Sequence, residues 1–314
     1  MTERFGSSDL RATLLDRLGA TIPAMAAPMF LVSGVALVSA VCDGGMVGAF
    51  PSLNARSTDE LRDWLAQLNA RAGAPGRAAY AVNLVTHRTN PRFSADLEAC
   101  AEARVPLIIT ALGSPAPALE AAHGWGALVF ADVNSPKLAR KAVEAGADGL
   151  ILVCNGAGGH TGLVSPFAFV DEVRRFFDGP LVVAGGISSG GAIRAVRQIG
   201  GDLASLGTRF LAADESLAVD DFKEMVVASS YDDIIATDAI TGALANKLRP
   251  SLLRAGIDPD TLVSGRPFDL SKIEGNTKRW RDLWSAGHGV GASSRRQPAA
   301  DIIRELKAGY GGSQ

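Results

Sequence analysis

Short, continuously apolar runs alternate with longer amphipathic stretches from Ala24 to about Ser230. Ala24–Met29 precedes a helix-like Val35–Cys42, Val47–Phe50 precedes Thr58–Asn69, and Tyr80–Leu84 precedes Ser94–Ala103. The beat continues through Leu107–Thr110, Ala127–Phe130, Gly149–Val153, Leu181–Ala184 and Leu203–Leu206, with helix-like stretches between. A strand with one wet face alternates apolar and polar residues. These runs do not alternate, so they read as strands covered on both faces. Glycines just past the last periodic residue, in Glu144-Ala-Gly146 and Gln198-Ile-Gly-Gly201, mark helix ends. Eight strand candidates, each followed by a helix candidate, predict an α/β chain folded as a (β/α)8 TIM barrel. A doubly wound open sheet is the rival. The barrel is preferred because Met29-Phe-Leu-Val-Ser-Gly34 stands where G-x-G-x-x-G would follow a first dinucleotide-binding strand.

The rhythm fails after about Ser230. Turn formers crowd Arg249-Pro250, Asp258-Pro-Asp260 and Gly265-Arg-Pro267, and helix-like runs surround Leu252 and Ile302. This predicts a barrel with an N-terminal helix over residues 1–225. Residues 226–314 then form a mostly helical C-terminal extension, packed on the barrel near its mouth.

Composition narrows the partners. The chain has 314 residues, 47% of them hydrophobic, enough for a large core. A net charge of -2 and a pI near 6.1 give no electrostatic footprint for nucleic acid. The densest basic cluster, Lys278-Arg279-Trp280-Arg281, reads as a solvated helix face. Three distant cysteines, Cys42, Cys100 and Cys154, have no metal-ligand spacing and fit a reduced compartment. No signal peptide or membrane span is evident, so the reading is a cytoplasmic protein with a small-molecule partner, as a monomer or homodimer.

Candidate chemistry concentrates where strands end. Gly149-Leu-Ile-Leu-Val-Cys-Asn-Gly-Ala-Gly-Gly-His-Thr-Gly162 is a buried strand running into a loop of four glycines and one histidine. Glycine allows close backbone approach to a ligand, and histidine moves protons near neutral pH. In a TIM barrel, ligands gather at the C-terminal ends of the strands. That rule selects Pro28-Met29, Asn83, Thr110, Asp132, the Gly158-Gly159-His160 loop, Gly185-Gly186 and Gly207-Thr208. The last two pairs follow the seventh and eighth strands, the usual place for a phosphate held by backbone N–H groups and a helix N-terminus. A phosphate-bearing ligand is expected.

The stretches Ala27-Pro-Met29, Ala81-Val-Asn-Leu84, Gly156-Ala-Gly-Gly-His-Thr-Gly162, Ala184-Gly-Gly-Ile187 and Leu206-Gly-Thr-Arg-Phe-Leu211 resemble those of the nitronate monooxygenases, formerly called 2-nitropropane dioxygenases. The likeness runs from about Thr21 to Ser216. It implies an FMN-dependent (β/α)8 oxidoreductase that oxidises alkyl nitronates with O2 to a carbonyl compound and nitrite. Asn83 resembles the residue that hydrogen-bonds the flavin, and Gly158, with Gly159 beside it, the glycine against its ring. Gly186, with Gly185, and Ser205-Leu206-Gly207-Thr208 resemble the phosphate cradle; His160 resembles the catalytic base.

The pattern also departs from that family. Val153-Cys154-Asn155 replace the glutamine often found before the glycine loop. Phe50-Pro-Ser-Leu-Asn-Ala-Arg56, His87-Arg-Thr-Asn-Pro-Arg92, Ser165-Pro-Phe167 and Trp284-Ser-Ala-Gly287 resemble instead the related NAD(P)H:quinone reductases. A flavin enzyme taking electrons from NAD(P)H is therefore the alternative, followed by an enoyl-ACP reductase and a non-catalytic flavin-binding protein. His87, Arg88 and Arg92 read either as contacts for an anionic substrate or nicotinamide cofactor, or as a solvated loop. His123 reads as a surface residue at a helix end, His288 as a residue near the mouth, and Cys154 as a small core residue. Trp64 and Phe222 read as helix packing.

Overall fold

The computed structural model describes residues 7–240, 242–263 and 283–312. Eight parallel strands form one sheet: β1 (Ala24–Ala26), β2 (Gly48–Pro51), β3 (Tyr80–Val85), β4 (Leu107–Ala111), β5 (Leu128–Val133), β6 (Gly149–Val153), β8 (Leu181–Ala184) and β9 (Leu203–Leu206). Their order is β1-β9-β8-β6-β5-β4-β3-β2, and a parallel bridge between Met25 and Val47 joins the two edges. The sheet is thus closed, as the continuously apolar runs require. β1 stops at Ala26, three residues short of its apolar run. Ala27 still donates to the Leu206 carbonyl (3.0 Å), but Pro28 has no N–H to extend the ladder.

Side chains alternate across the barrel wall. Ala81, Ile109, Phe130, Ile151, Val182 and Leu203 point inward, where they pack with Leu10, Leu14 and Leu18 at and just beyond α1 (Ser7–Arg17). Arg11 pairs with Asp202 just before β9 (2.8 Å), and Ala79 just before β3 donates to the Leu18 carbonyl (2.7 Å). The N-terminal helix therefore plugs the end where strands begin, leaving the opposite rim for ligands. Intervening residues such as Val82, Ile108 and Val129, or Leu150, Val183 and Leu206, pack outward against the helices.

The outer layer comprises α2 (Val35–Asp43), α3 (Thr58–Asn69), α4 (Phe93–Glu102), α5 (Ala116–Gly124), α6 (Pro136–Glu144), α7 (Pro166–Arg174) and α8 (Gly190–Gln198). α6 and α8 end at the anticipated glycines; Gly146 and Gly200 have φ of +99° and +100°. The next segment of the layer differs from a simple eight-unit repeat. α9 (Asp220–Ala228) follows β9 in sequence, but shares a cluster with Trp284 and Val290. The last helix, α11 (Ala299–Gly311), instead packs on α8 and α2 through Ile302, Ile303 and Leu306.

The extension also contains strands that its turn-rich sequence did not announce. β10 (Ile234–Thr237) and β11 (Ala245–Leu248) form an antiparallel pair, and β11 pairs in turn with β7 (Gly159–His160). Such short strands carry too few residues to display a period, and β11 takes its second partner from a distant loop. α10 (Arg249–Arg254) and α11 occupy the helix-like runs around Leu252 and Ile302. The Lys278–Arg281 cluster and the Gly265–Pro267 turn lie outside the described residues. Among the described residues no helix is long and apolar enough to cross a membrane.

Candidate active site

Parallel strands bring all their C-terminal ends to one rim, and alternation decides which residues enter the interior. Asn83, Asp132 and Ser205 lie two positions beyond the inward-facing Ala81, Phe130 and Leu203, so they line the barrel at this rim. Asn83 and Ser205 are buried, and the Asn83 amide donates to the Ile109 carbonyl (3.4 Å). Asp132 is partly open to the interior, where its poorly solvated surroundings push the carboxyl up to about 7. The side chains of Thr110 and Leu206, both expected at the ligand, face away from the interior. Each has the opposite parity, next to inward Ile109 or Ser205. Thr110 is buried behind the sheet, donating to the Phe130 carbonyl (3.4 Å), and Leu206 packs in the helix-side core.

The rim is braced from neighbouring loops. Met29 donates its N–H to Ser33 Oγ (3.0 Å), and a Cβ placed on Gly207 would lie 3.6 Å from Met29 Sδ. Asn54, inside the Phe50–Arg56 stretch, donates to the carbonyls of Met29 (2.9 Å) and Ser33 (2.8 Å) and accepts from Leu31 N–H (2.8 Å). Sequence reasoning missed this brace; an asparagine soon after a strand was its only signal.

Pairing of Ala184 with Ser205 sets Gly185-Gly186 beside Gly207-Thr208. Gly185 has φ +137°, and a Cβ there would sit 2.5 Å from the Asn155 carbonyl oxygen, so only glycine fits. Gly186 has φ +67° but faces space: its nearest neighbour would be His288 Cβ at 3.8 Å. Its N–H donates to the Gly156 carbonyl (3.2 Å). The segment 284–293 closes over these loops. Gly287 N–H donates to Thr208 Oγ1 (2.8 Å), His288 N–H to the Gly156 carbonyl (3.0 Å), and Ser293 Oγ to the Thr208 carbonyl (3.3 Å).

His160 is held by main-chain pairing with Ala245, while Asn246 donates to the Ala157 carbonyl (2.8 Å) and fixes the glycine loop. Gly158 backs directly on Ala286-Gly287, whereas a Cβ placed on Gly159, at φ +68°, would meet nothing within 4 Å. Burial first, and the nearby Lys247 cation second, hold the His160 imidazole down at about 4. It is neutral at physiological pH and able to accept a proton.

A family model described as nitronate monooxygenase matches residues 59–307. The chain belongs to the nitronate monooxygenase family. It is accordingly an enzyme, a flavin-dependent oxidoreductase. It is 26% identical to a nitronate monooxygenase of Paraburkholderia phytofirmans, over 98% of this chain and 96% of that one. It is 27% identical to the (3aS,4S,5R,7aS)-5-hydroxy-7a-methyl-1-oxo-octahydro-1H-indene-4-carboxyl-CoA dehydrogenase of Rhodococcus jostii, over 96% and 86% of the two chains. The structure of FabK from Thermotoga maritima superposes with a TM-score of 0.79 at 26% identity, covering 96% of this chain and 95% of that one.

The remaining residues of this family member divide clearly. His288 reaches the rim, edge-on to Tyr231 with ring centroids 5.0 Å apart. Cys154 is fully buried, and burial raises its thiol to about 12, so it is a core residue and no nucleophile. His87 meets Thr89 Oγ1 (2.8 Å) in an open loop and Arg88 is exposed, but Arg92 is committed to Asp96 (3.0 Å) and the Ala55 carbonyl (2.7 Å). These three do not converge. His123 pairs with Asp148 (2.9 Å) at the end of α5. Trp64 packs on Phe50, and Phe222 stacks on Trp284 at 4.8 Å.

Proposed function

We propose that this family member is an FMN-dependent nitronate monooxygenase, converting alkyl nitronates or nitroalkanes and O2 to a carbonyl compound and nitrite. One observation carries the reading: the His160 imidazole stands on a glycine loop at the same rim as the paired glycine ends of β8 and β9. The residues present fit FMN. Gly186 and Gly207 leave room at which a Cβ would meet nothing closer than 3.8 and 3.5 Å. Together with Thr208 and the start of α8 they suit a single phosphate, and no dinucleotide fingerprint accompanies them. Met29, Asn83, Asp132 and Ser205 would hold the ring system, with Gly158 and Gly159 alongside.

When bound, FMN supplies the electron transfer between organic substrate and oxygen. The chain supplies the proton chemistry. From a neutral nitroalkane, His160 takes the hydrogen on the carbon beside the nitro group; a preformed nitronate has already lost it. Residues 1–225 act as the flavin-binding barrel and 226–314 as its covering extension. A cytoplasmic setting is supported by three unpaired, buried thiols, Cys42, Cys100 and Cys154.

A second reading, NAD(P)H:quinone reductase, is favoured by the low proton affinity of His160, because hydride transfer needs no base. Purified protein reconstituted with FMN decides between them. Given an alkyl nitronate in air it releases nitrite and the carbonyl compound under the first reading. Nitrite-free protein that reduces quinones with NADH or NADPH supports the second.

A further inference from the structure

Lys247 is a buried lysine that the proton chemistry above does not use. It is only 2% exposed and lies on β11, two residues beyond Ala245, the residue paired with His160. Residues two apart on a strand share a face, and diagonal neighbours across an antiparallel pair lie within reach of long side chains. Lys247 and His160 therefore occupy the same face of the small sheet. The Lys247 ammonium donates to the Leu283 carbonyl (3.2 Å), which anchors it beside the segment that closes the rim. We propose that Lys247 is a positioning residue for His160: a buried cation on the same face of the small sheet that sets the acid limit below which the imidazole can no longer take a proton from substrate.

Two positive charges on one face of a sheet in poorly solvated surroundings repel, so the imidazole gives up its second proton more readily while the lysine keeps its own. Burial brings Lys247 down to about 8, which still leaves it mostly charged at neutral pH. Among the described residues, Lys247 is the charged side chain whose field reaches His160. The other titratable groups on elements around this rim have no comparable effect on it: Asp132 on β5, Cys154 after β6, and His288 on the closing segment. Desolvation is the larger cause of the His160 shift, so loss of the cation moves the histidine only part of the way back.

The proposal rests on the monooxygenase reading only for its catalytic meaning; its test reads the histidine itself. The chain has four histidines, so NMR with ring-labelled histidine resolves each titration, and His160→Gln assigns the signal. In wild-type protein the His160 ring stays neutral to below pH 5. In Lys247→Met the midpoint rises by about one pH unit, and in Lys247→Arg, which keeps the charge, it stays low. The acid limb of kcat/KM for a neutral nitroalkane follows the same shift in Lys247→Met. A preformed nitronate shows no such limb. A wild-type His160 that titrates near 6.5 overturns the proposal even where Lys247→Met does not fold. So does a folded Lys247→Met whose His160 midpoint is unchanged. Failure of the monooxygenase reading appears separately, as protein that makes no nitrite from nitronates while His160 titrates as stated.

Discussion

His160 and Asp132 are two ionisable groups at one rim whose surroundings move them in opposite senses. His160→Asn is expected to reduce turnover of neutral nitroalkanes by about 10²–10⁴-fold while sparing preformed nitronates, as steady-state oxygen uptake on the two substrate forms will show. Asp132 gives a signature in stability. Its carboxyl is raised from 3.8 to about 7, so between those values the folded chain holds a proton that the unfolded chain has lost. That contribution is fully present below 3.8 and is lost as pH rises through 7. His160, held at about 4 against an ordinary 6.5, does the reverse: the unfolded chain binds the extra proton, and stability falls as pH drops from 6.5 to 4. The two slopes oppose each other in wild-type protein, so the variant isolates one. Asp132→Asn should show a melting temperature that gains on wild type from pH 4 to 7 and holds the gain at pH 8. At this scale His160 is legible, since a lone histidine among glycines is a local signal, and the structure places it on the loop at the rim. The sequence was silent on Lys247, because nothing near residue 247 tells that Ala245 will pair with His160.

Elements turned residue types into a site through two rules, strand ends at one rim and alternate residues inward. The first was legible from the runs of apolar residues, and it found Asn83, Asp132 and the glycine pairs. The second is not legible there: Thr110 and Leu206 end apolar runs whose inward phase is set by Ile109 and Leu203. Strand register was the missing datum, and the phase of a continuously apolar run does not reveal it. The loop after β8 offers the element-scale prediction. Gly186→Val places a branched side chain in the space beside Gly207-Thr208, at a φ of +67° that costs an L-residue about 1–2 kcal/mol. The protein should still fold, with a modestly lower melting temperature, but fail to retain FMN on gel filtration. Retention of FMN with wild-type affinity counts against a phosphate seat at this loop.

At the scale of the whole molecule, the described residues beyond 226 resist reading because several of their contacts are made with the barrel and not with their sequence neighbours. β11 finds its second partner in β7, segment 284–293 covers the glycine loops, and α11 fills the outer layer between α8 and α2. None of these contacts leaves a local period. Ile302, Ile303 and Leu306 are each 2% exposed, and burial of such side chains contributes about 1.5–3 kcal/mol apiece. Their sum rivals the net stability of a domain, so a chain ending at Pro298 should be aggregated or unfolded by circular dichroism and light scattering. In the proposed reaction a nitronate, not a nicotinamide, delivers electrons to the flavin. Anaerobic stopped-flow mixing of the FMN-loaded protein with an alkyl nitronate, NADH or NADPH tests this. Rapid bleaching by the nitronate, with slow or absent bleaching by either nicotinamide, is the predicted result. Rapid bleaching by NADH or NADPH with indifference to the nitronate contradicts it.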